Sequence, residues 1–154
     1  MILASTCTAV SEHAIPTVRF SAFECMVANI FFEARGEGTE GMKAIAAVTM
    51  NRVKSSKYPS SVCKVVFQSK QFSWTYQQPL LAIQKVMLGG IALSDKDAEA
   101  YLLAMKIAHS AINGKLKHAV KGSLWYHSQH ANPAWKSKMK LQAKIGNHLF
   151  YKEG

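Results

Sequence analysis

The chain has 154 residues, of which 49% are hydrophobic and 18% charged, which is enough for one domain with a substantial core. Its formal net charge of +10 favours an anionic partner: nucleic acid, lipid or a bacterial envelope polymer. The lack of an arginine-rich run, zinc-finger spacing or RNA-recognition signature argues against nucleic acid. No apolar run approaches the roughly 20 residues that span a bilayer, which predicts a soluble chain.

The N-terminal residues 1–20 are mixed in composition and contain Pro16, which predicts an arm or a short cover. The opening MILASTCTAV has neither a basic region nor a long apolar stretch and does not resemble a secretory signal. We therefore expect the protein to stay in the cytoplasm, or to be released from it by another factor.

An amphipathic helix is predicted from about Ser21 to Arg35. Ser21 and Glu24 match the S-x-x-E capping box, which satisfies two backbone donors at a helix start. Apolar residues then recur at spacings of three and four: Phe23, Met26, Val27, Ile30, Phe31 and Ala34. Gly36 and Gly38 are typical of a helix end.

Glu33 lies on the edge of this apolar face, within the sequence EARGEGTEG. A half-buried carboxylate is poorly solvated when ionised, so its pKa should rise. A glutamic acid shifted to roughly 6 can donate a proton near neutral pH. The alternative is an ordinary helix-flank acid paired with Arg35 or Lys43, and position alone leaves both interpretations open.

Further elements follow from caps, breakers and periodicity. Predicted are a second helix capped by Thr39, a short helix over Ser60–Phe67, a loop over Gln68–Gln78, a helix from Ser94 (with Asp97) to the stop at Asn113-Gly114, and strands at Ser123–His127 and His148–Tyr151. The sequence thus predicts a mainly helical single domain with a small strand element.

A second catalytic carboxylate is hard to find. Glycosidases usually employ a pair of carboxylates. Of the nine acids, Glu37 is near Glu33, but Gly36 interrupts the helix face that the two would share. Helix N-termini account for the acids Glu40, Asp95, Asp97 and Glu99. This shortage favours chemistry that needs one carboxylate.

The cysteines and histidines give only weak indications of disulfide bonds or metal sites. Cys7, Cys25 and Cys63 are an odd and sparse set, which argues against a disulfide framework, and the last two are interpreted as small core residues. His127 and His130 have i, i+3 spacing, but the chain contains neither HExxH nor C-x-x-C. We expect no metal and no cofactor.

Two segments combine aromatic rings with hydrogen-bonding groups, a combination that suits the apolar faces and hydroxyl edges of sugars. They contain Gln71, Phe72, Ser73 and Trp74 in one case, and Tyr126, His127, Asn132 and Trp135 in the other. The alternative is that Phe72 and Trp125 are core residues. On a strand Trp125 and Tyr126 point to opposite faces, so only one of them can face the core.

Four ordered blocks resemble the SleB/CwlJ-type cell wall hydrolase family, known from spore-cortex-lytic enzymes and phage endolysins. They are ANIFFEARGEGTEGMKAIAAVTMNRV, VVFQSKQFSW, GSLWYHSQHANPAW and IGNHLFY, and they span about residues 23–151. The resemblance implies an α+β, mainly α, lysozyme-like fold, with residues 21–154 as the catalytic domain. Gly-Thr stands where relatives often have Pro-Tyr after EARGE, a change that loosens the turn.

The resemblance also implies cleavage of peptidoglycan glycan strands between N-acetylmuramic acid and N-acetylglucosamine, with Glu33 as the catalytic acid. Members similar to lytic transglycosylases form 1,6-anhydromuramic ends, in keeping with a single carboxylate. The alternatives are a hydrolytic muramidase in which Glu37 does the second job, an N-acetylmuramoyl-L-alanine amidase, and a non-catalytic basic module that binds cell wall.

Further site residues follow from the family blocks. Expected to bind substrate are Glu37, Gln71, Phe72, Ser73, Tyr126, His127 and His148. Asn51 and Arg52 match a family pair that we expect to be structural, tying the second helix to the core.

The C-terminal part is strongly basic, with eight lysines and one acid, Glu153, from Lys115 to Gly154. It predicts attraction to an anionic envelope and therefore salt-sensitive activity. Together with the resemblance, this suggests a monomeric phage endolysin that waits in the host cytoplasm until a holin releases it to the cell wall.

Overall fold

The computed structural model describes residues 19–89, 93–118 and 120–154. Most of the predicted arm, with Pro16 and Cys7, lies outside the described residues. The helices are α1 Ala22–Ala34, α2 Gly38–Lys54, α3 Val62–Val66, α4 Trp74–Gln77, α5 Leu80–Met87 and α6 Asp95–Ile112. The strands are β1 Trp125–Ser128, β2 Met139–Ile145 and β3 His148–Glu153, with a 3₁₀ helix at Ala134–Lys138. The predicted α+β, mainly helical architecture is confirmed.

Helix α1 begins as the sequence predicts. The Ser21 backbone N–H donates to Glu24 Oε2 at 2.6 Å, and the Glu24 N–H donates to Ser21 Oγ at 3.2 Å, which completes the capping box. Helix α2 begins two residues earlier than expected, because Glu37 rather than Thr39 is its N-cap. Gly38 makes this sharp turn possible at a φ of 69°, a left-handed value that suits glycine.

The core lies where α1 packs against α2, α3, α5 and α6. Eight of the thirteen residues of α1 are buried, so this helix is the centre of the helical part. A buried polar chain crosses the core: Trp74 Nε1 donates to Asn29 Oδ1 at 2.9 Å, and Asn29 Nδ2 donates to Thr49 Oγ1 at 3.0 Å. Each of these groups has a partner, so burying them costs little. These hydrogen bonds between Trp74, Asn29 and Thr49 fix the rotation of α1 relative to α2.

Cys25 and Cys63 form a disulfide between α1 and α3, with Cα atoms 5.3 Å apart. The argument against a disulfide was therefore wrong, whereas the interpretation of Cys25 as a small core residue is confirmed, since it is fully buried. Their 38-residue separation carries no pairing signal, and only the packing of α3 on α1 brings them together. The odd cysteine count that argued against pairing arises from Cys7.

The small sheet is antiparallel in the order β1-β3-β2. Both predicted strands are present, although β1 begins two residues later than Ser123 and β3 continues to Glu153. Strand β2 was not predicted, because most of its residues are partly or fully exposed and its lysines break the apolar alternation. The Gly146-Asn147 turn joins β2 to β3, next to the start of α2.

Two helical segments were also not predicted. The supposed loop Gln68–Gln78 contains the single-turn helix α4, whose Trp74 is buried. Helix α5 follows directly after Pro79. Helix α6 fits its prediction at both ends: Ser94 Oγ accepts the Asp97 N–H at 3.2 Å, and Asn113 follows its last residue. Within the described part of the chain, none of the helices has both the length and the apolar character needed to cross a membrane.

Candidate active site

Glu33 lies in the last turn of α1, half-buried beside the sheet. The Tyr126 hydroxyl, from β1, donates to Glu33 Oε2 at 2.5 Å. The Tyr126 ring stacks on buried Phe150 of β3, with centroids 5.6 Å apart. Tyr126 is thus the core-facing residue of the Trp125-Tyr126 pair. The helix end and the sheet meet at one carboxylate.

Burial raises the pKa of Glu33, while the Tyr126 hydrogen bond and the positive charge of Arg52 lower it; the net direction is upward. The pKa of Tyr126 lies well above its usual value, through burial and through the neighbouring Glu33, so Tyr126 keeps its proton and remains a donor. A carboxyl that keeps its proton to higher pH than usual is suited to general acid catalysis.

The alternative of a paired surface acid does not fit the structure. Arg35 lies 3.6 Å from Asp97, and Lys43 lies 2.8 Å from Glu40. Both cations that this alternative invokes therefore pair with other carboxylates.

Arg52 is a buried cation close enough to Glu33 to influence its pKa, and only 4% of the Arg52 surface is exposed. Its Nε donates to the Leu124 carbonyl at 2.8 Å, and its guanidinium lies over the rings of Tyr58 and Phe72. Neighbouring Asn51 donates to the Ser123 carbonyl at 2.9 Å. Asn51 and Arg52 were expected to tie the second helix to the core, and both bind the segment leading into β1. Arg52 also places a positive charge near Glu33.

Glu37 occupies a different environment, although it lies only four residues after Glu33. Its Oε2 accepts the Asn147 backbone N–H at 2.7 Å, and its Oε1 accepts Asn147 Nδ2 at 3.1 Å. Partial burial raises the pKa of Glu37, but the two hydrogen bonds from Asn147 and the proximity of His148 outweigh burial and lower it. Glu37 is therefore an ionised group that holds the β2–β3 turn.

An open cleft of about 320 Å³ lies beside Tyr126. It is lined by Arg52, Tyr58, Lys70, Gln71, Trp125, Tyr126 and Trp135. Two tyrosines, two tryptophans, an amide and two cations thus face the same space, and none of these lining residues is acidic. This combination can bind the ring faces and hydroxyls of a sugar that carries anionic groups.

Of the residues predicted to bind substrate, Gln71 and Tyr126 line this cleft, whereas Phe72, Ser73 and His127 do not. Phe72 is 1% exposed and belongs to the core, so the alternative interpretation holds for it. Ser73 is exposed just before α4. His127 points to the opposite face of β1 from Tyr126, where its Nε2 lies 3.0 Å from the Tyr151 hydroxyl. This alternation follows from the strand geometry.

His148 lies between the two carboxylate sites. Its ring meets that of Tyr126 edge-on at 5.3 Å. Burial lowers the pKa of His148, Glu37 raises it and His127 lowers it further, so the imidazole is held toward its neutral form. In residues 19–89, 93–118 and 120–154, no three His, Cys, Asp or Glu side chains cluster as a metal site requires.

Sequence reasoning missed several residues of this region: Tyr58, Lys70 and Trp125 as cleft-lining groups, and Asn147 as the partner of Glu37. Lys70 carried a faint signal, since it directly precedes Gln71, a predicted sugar-binding residue. Asn147 carried no signal, because it lies 110 residues from Glu37.

Comparison with known proteins agrees with this geometry. A family model described as Cell Wall Hydrolase matches residues 36–151. A spore cortex-lytic enzyme of Oceanobacillus iheyensis is 30% identical over 131 residues, covering 84% of this chain and 41% of that protein. The spore cortex-lytic enzyme of Bacillus subtilis strain 168 is 38% identical over 76 residues, covering 46% of this chain and 25% of that protein. The chain thus spans less than half the length of these curated relatives.

Two solved structures are also similar. The catalytic domain of the germination-specific lytic transglycosylase SleB from Bacillus anthracis superposes with a TM-score of 0.63 at 26% identity, covering 90% of this chain and all of that domain. The catalytic domain of the Bacillus cereus SleB protein gives a TM-score of 0.59 at 29% identity, covering 90% of this chain and 95% of that one. The family model matches most of the chain, and the fold is that of these catalytic domains. The chain therefore belongs to the cell wall hydrolase family.

Proposed function

We propose that this protein is a lytic transglycosylase that cleaves peptidoglycan glycan strands between N-acetylmuramic acid and N-acetylglucosamine. The observation that carries the proposal is Glu33, a half-buried carboxyl with a raised pKa, hydrogen-bonded to a tyrosine of the cleft. The similarity to a SleB catalytic domain described as a lytic transglycosylase supports the same reaction type.

In the proposed reaction, protonated Glu33 donates its proton to the glycosidic oxygen as the bond from that oxygen to C1 of muramic acid breaks. The resulting carboxylate then accepts the proton of the C6 hydroxyl of the same muramic acid, whose oxygen attacks C1. A 1,6-anhydro ring forms, no water is consumed, and Glu33 is protonated again. One carboxyl serves as acid and then as base.

The surroundings of Glu33 support both halves of this cycle. Burial favours the protonated form before cleavage, and the Tyr126 hydroxyl and Arg52 stabilise the carboxylate that forms during it. The Tyr126 bond also fixes which carboxyl oxygen stays free to face substrate, because it occupies Oε2. Such fixed donors lower the barrier because they need no reorientation during the reaction.

A hydrolytic muramidase is the second candidate, and the lowered pKa of Glu37 favours it, since an ionised carboxylate could activate water. Both Glu37 oxygens, however, accept hydrogen bonds from Asn147. This arrangement supports the transglycosylase over the hydrolase. An amidase or a purely binding role would leave the raised pKa of Glu33 without a use.

The expected binding of an anionic envelope and the endolysin role belong to the same proposal. Lys136, Lys138, Lys140 and Lys144 are exposed, and none of them forms an ion pair within the described ranges. Their positive charges are suited to phosphate-bearing envelope polymers. We propose that the protein acts as a monomer and, once released to the wall, lyses the cell. Co-expression with a holin tests the lytic role, since lysis should require both proteins.

Mass spectrometry of fragments released from purified peptidoglycan tests the reaction. The wild type should release anhydromuramic ends and Glu33→Gln should release none, while the control Glu40→Gln, on the exposed side of α2, should match the wild type. Reducing ends would indicate a hydrolase and direct attention to Glu37. Free stem peptides with intact glycan would indicate an amidase, and no release by the wild type would contradict an enzymatic role.

A further inference from the structure

The turn between β2 and β3 is fixed by an unusually complete set of hydrogen bonds at Asn147. Its backbone N–H and Nδ2 donate to Glu37, at 2.7 and 3.1 Å. Its backbone carbonyl accepts the Gln129 N–H at 2.7 Å, and its Oδ1 accepts Gln129 Nε2 at 2.9 Å. Asn147 therefore joins the α1–α2 junction to the residue that directly follows β1.

The neighbouring backbone is shaped around the Glu37 carboxylate. Gly146 has a φ of 54°, and a side chain there would collide with Glu37 Oε2. Gly41, one turn into α2, lies against Glu37 in the same way, since a Cβ atom there would collide with Glu37 Cβ. Two glycines thus make room for this one side chain, which indicates that the position of the carboxylate matters to the fold around it.

The contacts continue from this turn to the catalytic carboxyl. His148 follows Asn147 directly and meets the Tyr126 ring edge-on at 5.3 Å. Ser128 pairs with His148, and Tyr126 pairs with Phe150, in the β1–β3 ladder. The Tyr126 hydroxyl then reaches Glu33. The turn, the ladder and the tyrosine form one continuous packed path between two carboxylates four residues apart in sequence.

We infer that Glu37 is a positioning residue: by holding the β2–β3 turn, it places His148 against Tyr126 and so keeps the Tyr126 hydroxyl on Glu33. This inference rests on the proposed function, and it assigns Glu37 a task other than substrate binding or water activation. It also explains why the EARGE and GNH segments, at opposite ends of the chain, both belong to the site.

The pH profile separates this role from a merely structural one. Glu33 faces Tyr126 and Arg52, Tyr126 faces His148, and His148 faces Glu37 and His127. If Glu37→Gln loosens the path, Glu33 loses a hydrogen bond that lowers its pKa, so the alkaline limb of activity moves to higher pH. The direct electrostatic effect of deleting a negative charge would move that limb to lower pH.

The experiment measures kcat, KM and the pH profile for wild type, Glu37→Gln, Asn147→Ser, Tyr126→Phe and the double variant Glu37→Gln/Tyr126→Phe, with Glu40→Gln as control. We expect Glu37→Gln to lower kcat about 10- to 100-fold with little change in KM, and to shift the alkaline limb upward. Asn147→Ser, which changes no charge, should shift it in the same direction. The double variant should show no larger shift than Tyr126→Phe alone, because both act through one hydroxyl.

An unchanged or downward-shifted limb in a folded Glu37→Gln variant, or additive shifts in the double variant, would overturn the inference. If Glu37→Gln does not fold, Asn147→Ser decides the question. A carbon NMR titration of the Glu33 carboxyl gives the same comparison without any activity. A wild type that releases no glycan would therefore contradict the proposed function, while the titration would still decide the role of Glu37.

Discussion

Glu33 and Glu37 are chemically identical and lie on either side of one helix end, yet their pKa values are shifted in opposite directions. Glu33 faces a tyrosine ring and the core, and its pKa is raised mainly by burial. Glu37 faces a turn that offers it two N–H groups, and its pKa is lowered. The comparison teaches that burial decides the protonation of Glu33, whereas hydrogen bonds from a turn of the distant sheet decide that of Glu37.

The largest contrast should appear in catalysis. Glu33→Gln removes the transferable proton and should lower the rate of glycan release by about 100- to 10,000-fold, the usual contribution of a general acid. Glu37→Gln should cost less, since it weakens a positioning contact. Rates of muropeptide release at the pH optimum of each variant measure the difference. Equal losses for both variants would contradict the separate roles.

Gly146→Ala tests the contact between Glu37 and the β2–β3 turn by changing the turn rather than the carboxylate. The new methyl group would meet Glu37 Oε2 and would occupy a backbone with positive φ, so we expect a loss of about 1–3 kcal/mol in unfolding free energy. Gly114→Ala is the matched control, because Gly114 also has a positive φ, of 69°, while nothing lies within 4 Å of its Cβ position. Urea unfolding compares the two variants. A stable Gly146→Ala protein would mean that the turn can move away from Glu37.

Stability should change with opposite signs at the two carboxyls. Ionised Glu33 is disfavoured in the folded state, so Glu33→Gln should raise Tm at pH 7 by on the order of 2 °C. Glu37 favours folding when ionised, so Glu37→Gln should lower Tm at pH 7. The Glu33 effect should fade as pH falls toward 4.5, where unfolded carboxyls take up protons. The Glu37 contribution should be complete above that pH and should be lost as the pH falls from there through its lower folded pKa. Calorimetry from pH 3 to pH 8 checks both signs.

The smallest expected effect is the salt dependence of activity, which we attribute to the exposed lysines rather than to Glu33. Raising salt from about 0.05 to about 0.5 M should slow wall cleavage severalfold by screening. Replacing Lys136, Lys138, Lys140 and Lys144 with glutamine should reduce that salt dependence while leaving the pH profile unchanged. Rates on intact walls measure it. Salt-independent activity in the wild type would contradict attraction to the envelope.

The sequence was sufficient for features set by neighbours in the chain. The Ser21 cap, the apolar face of α1 and the end of α6 at Asn113 all depend on residues within four positions of one another. The half-buried position of Glu33 followed from the same periodicity. The family resemblance added the lysozyme-like fold and most of the site blocks.

Features that depend on distant partners could not be predicted. The Cys25–Cys63 bond, the Asn147 clamp on Glu37 and the Tyr126 contact with Glu33 join residues 38, 110 and 93 positions apart. Strand β2 has no apolar alternation of its own and exists because β3 pairs with it. Phe72 shows the reverse error, since an aromatic residue expected in the cleft is buried beneath Arg52.

The Cys25–Cys63 bond closes residues 25–63 into a covalent ring that contains Glu33, Glu37 and Arg52. Tyr126, His148 and Asn147 lie outside that ring and reach it through non-covalent contacts alone. A protease that cuts once inside the ring, in the connection after α2, would therefore leave both fragments attached to each other. Glu33, Glu37 and Arg52 would stay linked after a single cut that would separate the same chain in reduced form.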